Sequence, residues 1–72
     1  MTKYKIVGRN WWGYSYDLKD GLPSLAEARA WRDRYQQGDI EGVNGARHNG
    51  KDKLEVWSYT GPSYSGELVR DA

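Results

Sequence analysis

The sequence predicts an α+β fold: an antiparallel sheet of about four strands, in the order ββαββ, with one helix packed across one face. Three observations carry this. Ser24-Leu25-Ala26-Glu27 matches the S-x-x-E capping box and opens a run that ends at Gly38. Trp11-Trp12-Gly13-Tyr14-Ser15-Tyr16-Asp17-Leu18 alternates, with Trp12, Tyr14, Tyr16 and Leu18 on one side and small or polar residues mostly on the other. Lys53–Thr60 also alternates, with Leu54, Val56 and Ser58 opposed to Glu55, Trp57 and Tyr59.

Taken in order, Thr2–Gly8 sets Tyr4 and Ile6 against Lys3, Lys5 and Val7 and reads as the first strand. Arg9-Asn10 begins a turn, and Trp11–Leu18 reads as the second strand, paired with the first as a hairpin. Asp20-Gly21 reads as its stop. The helix is expected over Leu25–Gln37, with Leu25, Ala28, Trp31 and Tyr35 on one face, an Arg29–Asp33 pair at i,i+4, and Gly38 as the left-handed C-terminal residue. A short third strand is expected within Glu41–Arg47, then a turn over His48-Asn49-Gly50-Lys51-Asp52, then a fourth strand over Lys53–Thr60. Residues 1–72 form one small domain, and the tail over 61–72 either adds a short edge strand or stays loosely ordered.

A chain of 72 residues buries only about 60% of its unfolded surface. Its aliphatic residues are few, so its four Trp and six Tyr must supply much of the core. With no cysteine, disulfides, thiolate metal sites and thiol nucleophiles are excluded. The net charge of +1 is far from the basic excess of a dedicated nucleic-acid binder and from the acidity of a nucleic-acid mimic. No apolar run approaches a membrane span and the N-terminus lacks a signal-peptide core, so a cytoplasmic protein without a membrane partner is expected.

Little supports catalysis. His48 is the only histidine and lies in a predicted turn. No set of His, Asp and Glu has metal-ligand spacing, and the glycine-rich run from Gly38 to Gly50 lacks both phosphate-binding patterns. No catalytic residue, metal or cofactor is therefore assigned, and an enzyme is not expected. The rings point elsewhere. One helix shelters Tyr4, Ile6, Tyr14, Tyr16, Leu18, Leu54 and Val56 and leaves Trp11, Trp57 and Tyr59 for the far face of the sheet. With Arg47, His48, Lys51 and Lys53 in the adjacent turn, these form a candidate partner-binding surface. The plainer reading is that Trp11 covers a hairpin edge and the tail buries Trp57.

The pieces Tyr4-Lys5-Ile6-Val7, Ser24-Leu25-Ala26-Glu27-Ala28 and Leu54-Glu55-Val56-Trp57-Ser58-Tyr59 give the chain a layout that resembles small phage-encoded anti-CRISPR inhibitors. That resemblance implies a non-enzymatic blocker that binds a host protein complex through one surface. Many such inhibitors are distinctly acidic, and this chain is not. The expected function is a small interaction protein, a phage or mobile-element inhibitor in its sharpest form, whose partner is a host protein or ribonucleoprotein complex. The alternative is a small nucleic-acid binder that stacks bases on the same rings and meets phosphates with Arg47, Lys51 and Lys53. A homodimer is a third way to cover the rings.

Overall fold

The structure, a computed structural model, describes residues 2–42, 45, 47–60 and 67–69. It contains β1 (Lys3–Arg9), β2 (Ser15–Leu22), α1 (Leu25–Gln37), β3 (Lys53–Tyr59) and β4 (Glu67–Leu68). The strands form one antiparallel sheet in the order β2-β1-β3-β4. The expected ββαββ architecture is present, with the helix on one face of the sheet.

The helix begins and ends where its caps dictate. Ser24 is extended, and its Oγ accepts the Glu27 N–H at 3.2 Å. The Glu27 carboxylate takes the Ser24 hydroxyl at 3.5 Å, instead of the backbone N–H that a full capping box would use. Gly38 adopts φ +85°, and its N–H reaches the Tyr35 carbonyl while that of Asp39 reaches Arg34, which closes the last turn. Ser24→Ala is expected to cost about 1 kcal/mol, read as a lower midpoint in urea. Asp33 pairs with its neighbour Arg32 at 3.1 Å, which corrects the expected Arg29–Asp33 pairing.

The core lies between α1 and one sheet face. Ile6, Leu18, Ala28, Tyr35 and Val56 are buried in it, with Tyr4, Tyr16, Leu22, Leu25, Trp31 and Leu54 packed against them. Alternation places Lys5, Val7, Trp57 and Tyr59 on the opposite face, and that face is not left open. Lys5, Val7 and Tyr59 are buried and Trp57 is half-buried. Lys5 Nζ stands 3.7 Å from Asp17 and 5.9 Å from the centre of the Trp57 ring. The Tyr59 hydroxyl donates to Asp20.

Three strand boundaries differ from expectation. β2 runs over Ser15–Leu22, four residues later than predicted at each end. Its register against β1 shifts between Tyr4 and Ile6 and again between Ile6 and Val7. Asp20-Gly21 does not stop the strand: Gly21 takes φ +75° with its N–H on the Asp20 carboxylate, and the strand continues through an irregularity. In the middle segment, Glu41, Gly42, Gly45 and Arg47 form no strand, while 43, 44 and 46 lie outside the described residues. The Asn49-Gly50 turn is present, since Asn49 Oδ1 accepts the N–H groups of Lys51 and Asp52. Among the described residues, no strand lies between α1 and this turn. The outer strand comes from the tail, where Glu67–Leu68 pairs with Ser58 and Trp57.

Candidate functional site: an aromatic hairpin tip

The β1–β2 connection is built by one asparagine and one glycine. Asn10 Oδ1 accepts the N–H groups of Trp12 and Tyr14, each at 3.0 Å. The Asn10 carbonyl accepts from Gly13 at 2.9 Å, and the Asn10 N–H donates to the Tyr14 carbonyl at 3.0 Å. Gly13 sits at φ +86°, the left-handed position that closes a three-residue hairpin loop. Trp11 and Trp12 therefore occupy the centre of a turn, where neither side chain has a sheet face to point into.

The result is a projecting cluster of rings. Trp11 is 82% exposed, Trp12 74% and Tyr14 66%. The two indoles lean on each other with centroids 4.7 Å apart and planes at 44°, and Tyr14 lies nearly parallel to Tyr16 at 6.4 Å. This corrects the expectation that Tyr14 lines the core and that Trp12 shares the strand face of Tyr14, Tyr16 and Leu18. Of the tip residues only Trp11 was expected at the surface, and the Asn10-x-x-Gly13 frame is the signal that would have added the other two.

The tip is tied to the sheet behind it. Arg9 donates through Nε and Nη2 to the two Glu55 carboxylate oxygens at 3.3 and 3.2 Å, and through Nη1 to the Gly13 carbonyl at 3.3 Å. Trp57 Nε1 donates to the same Glu55 at 3.2 Å. Burial raises the Glu55 pKa, but the hydrogen bonds and charges of Arg9, with Trp57 and Lys53, outweigh it and hold the carboxyl below its ordinary value.

A second tie joins the hairpin to the loop before β3. The Tyr16 hydroxyl donates to Asp52, and His48 Nε2 lies 2.9 Å from the Asp52 carbonyl while its ring packs on Tyr35 at 5.8 Å. Burial, then the Asp52 bond and charge, push the Tyr16 phenol up to about 12. The same bond, helped by Asn49, lowers the Asp52 pKa. Tyr16 therefore contributes stability that is full below its unfolded pKa of about 10 and is lost as pH rises toward 12. Absorbance titration of phenolate should show a component near 12 that is missing from Tyr16→Phe.

The remaining candidate residues divide. β1 pairs Arg9 with Ser15 on one side and Lys53 on the other, so the aromatic tip and the 47–53 segment share one end of the sheet. Lys51 and Lys53 are exposed there. Arg47 is turned back, bonding the Gly38 carbonyl at 2.9 Å and Glu41 at 3.1 Å. His48 is held by Tyr35 and Asp52. Trp57 is half-buried and Tyr59 is 8% exposed, so these two rings are not grouped with the tip.

Among the described residues, no group of three or more His, Asp or Glu is placed to hold a metal ion, and no helix is long and apolar enough to cross a membrane. Fold and site together define a small ββαββ protein with a stapled aromatic hairpin tip. Comparison with family models, with curated proteins and with solved structures finds no match.

Proposed function

We propose that the chain is a non-enzymatic interaction protein that docks on a larger protein or ribonucleoprotein complex through the Trp11–Tyr14 tip. One observation carries the reading: three adjacent rings stand in solvent on a loop whose backbone is fixed by Asn10, Gly13 and Arg9. Aromatic rings dominate the energetics of interfaces, and a preorganised loop loses little entropy on docking. A folding role does not account for them, because rings this exposed contribute little to the core. The inhibitory form of this reading rests on the resemblance in layout, and adds the requirement that the partner's activity falls when bound.

The test is capture from a host lysate with the wild-type chain and with the Trp11→Ala/Trp12→Ala double variant. The variant should keep the wild-type circular dichroism and its stability within about 0.5 kcal/mol, and should lose the captured complex. Undiminished capture by a folded double variant removes the tip from the interface.

A further inference from the structure

Resting on the reading that the tip docks on a larger protein or ribonucleoprotein complex, we infer that what this end of the sheet holds there is the single-stranded nucleic acid of a ribonucleoprotein. Bases stack on Trp11, Trp12 and Tyr14, and phosphates lie beside Lys51 and Lys53. The rings supply the first half of the argument. Every base has a π-face, so exposed indole and phenol faces hold a strand without reading its sequence. The indoles lean on each other, and exposures of 82% and 74% leave their outer faces free. Bases in a duplex are already stacked on their neighbours, so the rings select for a single strand.

Charge supplies the second half. Of the carboxylates described at this end, Glu55 is paired with Arg9 and Glu41 with Arg47, while Asp52, held by the Tyr16 hydroxyl, keeps its charge and is outnumbered by Lys51 and Lys53. Lys51 and Lys53 are exposed and form no ion pair among the described residues, although Lys53 adds to the attraction on Glu55. A lysine ammonium is a point charge suited to phosphate. A second copy of this chain fits less well. At 82%, 74% and 66% exposure, three rings of about 150–250 Å² each offer roughly 700–1,100 Å² in total from two protomers, below the ~1,200 Å² of a specific interface. A symmetric tip-to-tip contact would also bring the lysines of both copies together.

The experiment follows tryptophan fluorescence as the full chain is titrated with oligodeoxythymidine of about 15 nucleotides, at about 20 mM salt. Saturable quenching is expected, with weaker binding of a duplex of equal length. Trp11→Ala and Trp12→Ala should each weaken binding about 5- to 100-fold while circular dichroism stays wild-type. Two phosphate contacts give a slope of about −1.4 for log affinity against log salt, and Lys51→Gln/Lys53→Gln should bring it close to zero. No quenching at low salt overturns the inference, as does binding that survives both tryptophan substitutions. A blue shift on phosphatidylserine vesicles, with no response to oligonucleotide, overturns it in favour of an anionic bilayer surface. If oligonucleotide fails while the tip double variant still loses its captured complex, the docking surface stands and only its nucleic-acid assignment falls.

Discussion

Ile6→Ala is expected to remove about 3–4 kcal/mol, a large part of the stability a chain of this size holds. Ile6 is fully buried at the middle of the central strand, facing Val56 across the β1–β3 ladder and packed among Leu18, Ala28 and Tyr35. Truncating such a side chain loses its transfer free energy and leaves a cavity, about 2–5 kcal/mol in all. A domain of 72 residues has only about 4–10 kcal/mol in reserve. Urea unfolding at 25 °C measures the loss directly; a change below about 1 kcal/mol would mean that the core is not centred on Ile6.

Gly8→Ala is expected to cost about 1–3 kcal/mol and to return the Tyr16 phenol toward its ordinary pKa. Gly8 is not among the glycines at positive φ, so its backbone suits alanine. Space is the obstacle. A Cβ at this position would stand 2.5 Å from Cζ of the Tyr16 ring and 2.8 Å from its hydroxyl oxygen. Gly8 and Tyr16 are cross-strand partners, and the ring lies over the glycine on its way to Asp52. An alanine displaces the ring and breaks the tie between the hairpin and the loop that carries Lys51. Stability and the phenolate titration should therefore change together. In a Tyr16→Ala background the same substitution should cost much less, and an undiminished cost would place the strain elsewhere.

Much of the fold is legible in local chemistry. The helix is bounded by Ser24, Glu27 and Gly38, whose roles depend on residues within one turn, and it runs over the expected residues. The first strand and β3 follow from alternation because each has one face in the core. β2 fails for an instructive reason. Trp12, Tyr14 and Tyr16 alternate like a buried strand, but only Tyr16 and Leu18 reach the sheet. The Asn10 side chain has already committed the N–H groups of Trp12 and Tyr14 to a turn. Alternation records spacing and cannot tell a ring that packs from one that projects. The outer strand was legible only as one option for the tail, because two residues are too few to carry a pattern.

The site was half legible. Trp11 and the lysines near β3 were found by asking which residues the helix cannot shelter. Trp57 and Tyr59 were drawn in by the same count. The long-range parts of what holds them are Arg9, which fixes from 46 residues away the Glu55 that takes the Trp57 N–H, and Asp20, which takes the Tyr59 hydroxyl from 39 residues away. No sequence spacing announces such partners.

Acrylamide quenching of four single-tryptophan variants, the other three indoles replaced by phenylalanine in each, bears most directly on the projecting tip. Trp11 and Trp12 should each be quenched at nearly the rate of a free indole, and Trp31 and Trp57 distinctly more slowly. If Trp12 proves as sheltered as Trp31, the second strand begins at the tryptophans after all and the chain has no aromatic tip to offer a partner.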